Sequence, residues 1–255
     1  MMKAVKAILF VAIMACTITA QAETVDQAYA AALKSYYAGN YGEAVAGLER
    51  VAAIPMHHED LYYNLGCSYF RLDKLGPAIY NFERALALAE GAEDAEFNLK
   101  TARAAVNAKV KDVLKGAEGG PWWETLSRAL PLGGFKVMFL LLWWLALALF
   151  FGLRFMAPGA GRTGMIATGA LVWLLTVFCG ALLAGRLYLN ANVRQGIILP
   201  DRVVVHEGPA PGTKETFKVH AGLRVSLRSE ENEWIRIRLP NGLEGWIQQQ
   251  SLGRL

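Results

Sequence analysis

The sequence is poor in the residue types that build metal sites, disulfides and catalytic centres. Its 255 residues include only three cysteines and four histidines, and they form no C-x-x-C pair and no Cys/His spacing typical of metal ligands. It also has no paired carboxylates, nucleophile–base pair or phosphate-binding glycine loop. We therefore predict a non-enzymatic protein without a metal or cofactor, whose fold does not rely on an internal disulfide.

Charge of either sign is not concentrated. The 26 Lys and Arg residues and 22 Asp and Glu residues give a formal net charge of +4, with the basic residues scattered along the chain. This argues against nucleic acid as a partner, because nucleic-acid binding needs a basic patch or stripe. The acidic cluster Glu230, Glu231 and Glu233 is better explained as a solvated hairpin loop than as an acid–base centre. Hydrophobic residues make up 54% of the chain, an excess that points to membrane segments.

Residues 1–22 have the pattern of an export signal. Lys3 and Lys6 precede the uncharged stretch 7–20, and Ala20-Gln21-Ala22 supplies a small-x-small cleavage pattern. The apolar run is too short for a comfortable membrane span, which needs about 20 residues. We expect cleavage after residue 22, with lipoprotein processing at Cys16 as the alternative.

Residues 23–115 contain a self-similarity with a period of 34 residues. The clearest copy, residues 59–90, resembles the tetratricopeptide repeat (TPR), a pair of helices. Gly66 and Ala78 are predicted to be small because two helices cross closely there, and Tyr69 and Phe82 to fill the remaining space. An earlier copy and a closing helix flank this repeat, so we predict an all-α TPR solenoid of two repeats plus that helix.

The first helix of each repeat should line a concave groove. Aromatic rings, amides and a guanidinium face it in the repeat register, and these groups suit an extended peptide or a partner helix. Packing between neighbouring repeats is the alternative interpretation for each tyrosine. The predicted protein-binding residues are Tyr29, Leu33, Tyr36, Tyr63, Asn64, Phe70, Arg71 and Asn98.

Two apolar stretches predict a transmembrane hairpin. The spans are residues 136–156 and 165–186, joined by a cytoplasmic turn at 157–164. Residues 116–135 are predicted to be a linker with an interfacial segment, in which Trp122 and Trp123 lie at the lipid headgroups. Basic residues flank both sides of the spans, so the orientation follows from the export signal. We predict a bacterial inner-membrane protein with both terminal domains in the periplasm.

The C-terminal part predicts a small all-β barrel at residues 197–255, after a linker at 187–196. The pattern H-x-G-x-x-V at 220–225, W-x-x-I at 234–237 and N-G-x-x-G-W-I at 241–247 resembles bacterial SH3-like domains. Residues 233–246 read as a hairpin that reverses at an Asn-Gly turn. Trp234, Asn241, Gly242 and Trp246 are predicted to be structural residues of this hairpin, with a secondary role in binding.

The order of these parts, in a multidomain membrane protein, resembles the BatE family of the Bat aerotolerance gene clusters. The resemblance implies a periplasm-facing scaffold for protein partners, with membrane proteins that carry von Willebrand A domains and MoxR-type ATPases as the expected associates. It implies a role in envelope stress or oxygen tolerance, and it supplies no catalytic residues. The alternative function is a cell-wall sensor whose SH3-like domain binds peptidoglycan.

Overall fold

Seven helices precede a seven-stranded sheet in the part of the chain that the structure describes. The computed structural model describes residues 24–54, 58–109, 126 and 132–255. The helices are α1 (Val25–Tyr37), α2 (Tyr41–Ala52), α3 (Glu59–Arg71), α4 (Leu75–Leu88), α5 (Glu93–Lys109), α6 (Leu132–Gly152) and α7 (Ala160–Asn192). The strands are β1 (Gln195–Ile198), β2 (Arg202–His206), β3 (Glu215–His220), β4 (Arg224–Glu231), β5 (Trp234–Arg238), β6 (Glu244–Gln248) and β7 (Leu252–Arg254).

Helices α1 to α5 form a helical domain in which each helix packs against its neighbours in sequence. Helix α1 begins with a capping box, because Gln27 N donates to Thr24 Oγ1 at 3.3 Å and Thr24 N donates to Gln27 Oε1 at 3.0 Å. The buried side chains form two clusters. One contains Leu48 and Tyr62, and the other contains Ile79 and Phe82.

Small residues allow the paired helices to cross closely. A Cβ on Gly66 would lie 2.6 Å from the Phe82 ring, which confirms the predicted close approach of α3 and α4. In the first pair the equivalent position holds Ala32, and Gly47 on α2 makes room for it, since a Cβ there would lie 2.7 Å from the Ala32 Cβ. The methyl group added in α1 is thus offset by one removed from α2. The assignment of these helix pairs to the TPR type stays a prediction.

Helices α6 and α7 are both long and apolar enough to cross a membrane, judged by length and composition. They pack against each other through a small cluster of Phe135, Cys179 and Leu182. Gly180 lies under the Phe139 ring, where a Cβ would be 3.0 Å from it. Most of their other large apolar side chains are exposed, as expected of helices that face lipid.

Helix α6 begins before the predicted span 136–156 and ends at Gly152, four residues short of its predicted end, whereas α7 extends beyond the span 165–186 at both ends. Helix α6 begins ahead of Lys136, and α7 begins inside the predicted turn and continues to Asn192, through most of the predicted linker 187–196. The prediction placed the two outer span ends at the charged residues Lys136 and Arg186. A helix instead continues until its backbone meets a capping or breaking residue, and Pro158-Gly159 immediately precedes α7.

The sheet is antiparallel throughout, in the order β3-β2-β6-β5-β4-β1-β7. Ile235 and Ile237 of β5 are fully buried while Arg236 and Arg238 are exposed, which is the alternation of a strand with one face on a core. The predicted hairpin reverses after β5, where Gly242 has a φ of +92°. Strand β1, which follows α7, lies beside the last strand β7.

Some predicted features lie outside the described residues. These are the export signal at residues 1–22 with Cys16, and the tryptophan pair Trp122 and Trp123. Of the predicted linker at 116–135, only Leu126 and residues 132–135 are described.

Candidate functional site

Two hydrogen-bonded asparagine–tyrosine pairs connect α1 with α3 and α3 with α5. Asn64 Nδ2 on α3 donates to Tyr29 OH on α1 at 2.8 Å, and Asn98 Nδ2 on α5 donates to Tyr63 OH on α3 at 3.1 Å. Each tyrosine precedes its asparagine by 35 residues, so the same contact recurs one repeat further along. All four side chains are half-buried. The structure thus brings these predicted groove residues together in one row, which we call the Asn–Tyr row.

Both asparagines keep an acceptor available. Asn64 Nδ2 also donates to Asp60 O at 2.8 Å, and Asn98 Nδ2 lies 3.8 Å from Cys67 Sγ. Within the described ranges, no group donates a hydrogen bond to Oδ1 of either side chain. An amide oxygen can accept up to two hydrogen bonds. The row therefore contains two amide oxygens, one repeat apart, that accept no hydrogen bond from the described residues.

Tyr36 and Arg71 lie together toward the C-terminal ends of α1 and α3. A side-chain hydrogen bond with Tyr36 raises the pKa of the Arg71 guanidinium, which is exposed and permanently charged. The Tyr36 ring also contacts the Tyr41 ring edge-on, with centroids 5.4 Å apart. This end of the groove can meet an acidic group with a positive charge held beside aromatic rings.

The remaining groove residues are partly packed against the core and partly exposed. Phe70 is half-buried and packs against the core cluster of Ile79 and Phe82, and Tyr29 and Tyr63 also border buried clusters. Leu33 is half-buried. The alternative interpretation, that the tyrosines pack between repeats, therefore applies to part of the Tyr29 and Tyr63 rings.

Cys67 lies beside the Asn–Tyr row and is half-buried. Burial raises the pKa of its thiol, and this effect exceeds the lowering by Tyr63 and by the Arg71 charge. Burial, with Cys67 as its neighbour, also raises the pKa of Tyr63 to about 12. Both groups are neutral at pH 7. Cys67 can therefore serve as a chemical reporter for the groove.

We expect iodoacetamide to alkylate Cys67 more slowly in the folded protein than in urea at pH 8. Because the folded pKa is raised, the thiolate fraction is smaller at that pH, and it increases only as the pH approaches the higher pKa. The measurement is the alkylation rate from pH 7 to 10.5 in a Cys16→Ser/Cys179→Ser background. A folded-state rate profile with its midpoint at or below that of the unfolded chain would contradict the prediction; reduced access alone lowers the rate without moving the midpoint.

The predicted hairpin residues of the sheet differ in exposure. Trp234 is buried, with its ring edge-on to His206 and the centroids 5.3 Å apart. Trp246 is half-buried and lies opposite His206 on β2 and Arg236 on β5. Asn241 and Gly242 are exposed at the turn, where Leu243 N donates to Asn241 Oδ1 at 3.2 Å. Trp234 is thus a packing residue, whereas part of the Trp246 surface is exposed.

The sheet packs directly against helix α4. Ile197 of β1 is fully buried in a cluster with Leu75, Ile79 and Phe82 of that helix. At the other side of the contact, Tyr80 OH donates to the Arg254 carbonyl in β7 at 3.0 Å. The helical domain and the sheet therefore share apolar core.

Glycines allow this close contact. A Cβ on Gly76 of α4 would overlap the backbone carbonyl of Leu199, and a Cβ on Gly222 would overlap the Ile79 side chain. Gly222 also has a φ of +75°, a conformation that side-chain-bearing residues rarely adopt. At Gly76 the opposing atoms belong to the backbone, so the neighbour cannot move aside by changing a rotamer.

A buried carboxylate joins three elements at the same contact. The Glu83 side chain on α4 is 9% exposed and accepts hydrogen bonds from Arg103 on α5 and Arg224 on β4. Arg224 also donates to Gln195 Oε1 at 3.1 Å. Two guanidinium groups compensate the desolvation of one buried carboxylate. None of the eight predicted groove residues takes part in these contacts.

Sequence reasoning missed this contact. Leu75 and Ile79 lie eight and four residues before Glu83, so the three share one face of α4. An acid on an otherwise apolar helix face is the signal that could have indicated a buried ion pair, because charged side chains are rarely buried unless paired. The partner Arg224 is 141 residues away, and no local pattern identifies it.

A second carboxylate connects the helical domain to the apolar helices. Glu90, which follows α4, accepts hydrogen bonds from Leu132 N at the start of α6 and from Arg186 Nη2 of α7 at 3.1 Å. Leu132 N belongs to the first turn of α6, where backbone amides have no acceptor within the helix. The helical domain therefore contacts α6 and α7 at one end of the pair.

Comparison with known proteins identifies the C-terminal sheet. Residues 200–253 match the family model described as a bacterial SH3 domain, which confirms the predicted SH3-like domain. Such domains bind proteins or peptidoglycan, so this part of the chain is a protein-interaction or cell-wall-binding module. No curated protein matches the chain. Within residues 24–54, 58–109 and 132–255, no three His, Cys, Asp or Glu side chains are grouped to hold a metal ion.

Proposed function

We propose that the protein is a non-enzymatic, membrane-anchored scaffold whose TPR-type groove binds a segment of a partner protein. The observation that carries this proposal is the Asn–Tyr row, which repeats the same hydrogen bond across α1, α3 and α5. The four side chains of the row are half-buried, so part of their surface is exposed, and the SH3-like domain packs on α4. Two protein-recognition surfaces on one chain favour a role in assembling a protein complex over an enzymatic role.

The contact between the two folded parts supports the proposed membrane arrangement. Helices α6 and α7 are long and apolar enough to form a transmembrane hairpin. The direct packing of Ile197 on α4 supports an arrangement in which the helical domain and the SH3-like domain lie on the same side of the bilayer. With the predicted export signal, that side is the periplasm of a bacterial inner membrane.

The partner is a protein with an extended or helical segment that carries at least one acidic group. The two available Oδ1 acceptors would receive its backbone or side-chain donors, and Arg71 would pair with its acid. The resemblance to the BatE family points to membrane proteins with von Willebrand A domains, in a complex with a MoxR-type ATPase that serves envelope stress or aerotolerance.

Site-specific photo-cross-linking in cells tests the groove directly. We expect a photoreactive amino acid at Leu33, in the groove, to cross-link to the von Willebrand A-domain protein of the same gene cluster. The same amino acid at Arg50, exposed on α2, is the control and should give no such product. Equal products at both positions, or none at Leu33, would contradict the proposal.

An affinity measurement tests the role of the asparagines. In purified full-length protein, Asn64→Ala/Asn98→Ala should weaken partner binding about 30-fold, because two hydrogen bonds of about 1 kcal/mol each are lost. Gln250→Ala, an exposed amide on the SH3-like domain, is the matched control. Circular dichroism must show unchanged helix content. If the affinity of the double variant is within twofold of the control, the asparagines do not take part in partner binding.

The second candidate function is a cell-wall sensor. It is favoured by the bacterial SH3 match and by the partly exposed Trp246 on the β5–β6 hairpin. The full chain in detergent should then sediment with purified peptidoglycan, and Trp246→Ala should abolish this while Asn64→Ala/Asn98→Ala retains it. Failure of the wild-type protein to sediment would exclude this function.

A further inference from the structure

We propose a second binding site, for a small organic anion, in the cleft between the helical domain and the SH3-like domain. The cleft has a volume of about 430 Å³, within the range of small-molecule sites. Leu75, Val106 and Lys109 line it from α4 and α5, and residues of β2, β3 and their flanking turns line it from the sheet. It lies outside the Asn–Tyr row.

The sheet wall of the cleft concentrates positive charge. Arg202 on β2 lies opposite His220 on β3, and Val204 lies opposite Lys218, so Arg202, Lys218 and His220 share one face of this strand pair. The Arg202 and Lys218 side chains are both exposed. Arg202 and Lys218 are diagonal neighbours on the two strands, a spacing that two long side chains can bridge to reach one anion.

The carboxylates near the cleft do not pair with these two cations. Asp73 is held by Lys109, with Nζ 2.5 Å from Oδ2, and Asp201 lies at the rim. Among the described residues, neither Arg202 nor Lys218 makes an ion pair. The local balance of Lys109, Arg202 and Lys218 against Asp73 and Asp201 leaves one net positive charge, which a bound anion would neutralise.

The floor of the cleft determines the rest of the ligand. The apolar residues Leu75, Val106 and Ala221 line this floor. A fully hydrated inorganic ion gains nothing from an apolar floor, whereas an aliphatic stem does. The site therefore suits a carboxylate or phosphate carried on a short aliphatic group, with the anionic end toward Arg202 and Lys218.

Titration calorimetry on the full chain in detergent micelles tests the site with three probes of similar size. Butyl phosphate represents a phosphate ester, N-acetylalanine represents a peptide-type carboxylate, and butanol is the uncharged control. We expect saturable binding of at least one anion and none of butanol at the same concentration. The anion that binds identifies the headgroup. Absence of binding by both anions, or equal binding of butanol, would overturn the proposal.

Charge-matched variants separate the cleft from general attraction to a basic surface. Arg202→Gln/Lys218→Gln should weaken anion binding at least about tenfold, because charge-assisted hydrogen bonds are lost. Lys214→Gln/Arg228→Gln removes two exposed positive charges elsewhere on the same domain and should bind as the wild type does. Equal weakening in both variants would show that the cleft is not the site. Partner binding in the groove is measured separately, so either proposal can fail alone.

Discussion

Replacing Glu83 by glutamine should loosen the contact between the helical domain and the SH3-like domain. Glutamine has nearly the same shape, so the change removes charge and leaves packing in place. Arg103 is half-exposed and can turn to solvent, but the Arg224 side chain is only 25% exposed and would lose its carboxylate partner. Removing one partner of a buried ion pair costs about 3 kcal/mol.

Hydrogen–deuterium exchange of the full chain in micelles measures this effect. Amides of α4 and β4 should exchange faster in Glu83→Gln, at a temperature where both parts of the wild type remain folded. Glu96→Gln, an exposed acid on α5, is the control. If exchange in both elements matches that of the control, Glu83 does not hold the contact.

Replacing Gly76 by alanine should disrupt the same contact by shape alone. In an isolated helix this change would stabilise by about 0.5–1 kcal/mol, because alanine is the better helix former. Here the added Cβ would overlap the Leu199 carbonyl, so the two domains must shift apart. Overpacking of this kind costs about 1–3 kcal/mol, which outweighs the helix propensity.

The chain provides a matched control at Gly42. It is the second residue of α2, as Gly76 is of α4, and the two are 34 residues apart. Nothing lies within 4 Å of a Cβ built on Gly42. Thermal unfolding should therefore show Gly42→Ala unchanged or more stable and Gly76→Ala less stable. A shift of the same sign and size in both would show that the close contact at Gly76 carries no energy.

The features that could be predicted from the sequence are those set by a repeat spacing, by strand alternation or by a short turn motif. The spacing of 34 residues placed Asn64 and Asn98 in equivalent positions, and the structure gives both the same hydrogen bond to a tyrosine one repeat earlier. The alternation in β5 and the Asn241-Gly242 turn likewise depend on near neighbours. In each case the residues that decide the geometry lie within one motif.

The domain contact could not be predicted, because its partners are far apart in sequence. Gly42 and Gly76 have the same repeat register, yet only Gly76 meets another element, so the register does not distinguish them. From the sequence pattern, Arg224 and Lys218 are indistinguishable from other charged residues on the exposed face of a strand. Their positions against α4 and the cleft depend on how the folded parts dock, which hydrophobic periodicity does not encode.

In the proposed membrane arrangement, the unbroken length of α7 would set the distance of the SH3-like domain from the lipid surface. This helix has 33 residues and is about 50 Å long, and only two residues, Val193 and Arg194, separate it from β1. A Gly/Ser tether would let the domain explore a wide volume, whereas a stiff helix that spans a membrane, as proposed above, would confine it to a thin layer above the lipid surface. Partners anchored in the same membrane would meet it only if their own binding segments extend to that layer. The distance that a partner's binding segment extends from the membrane, as well as its affinity, would then determine which membrane proteins bind.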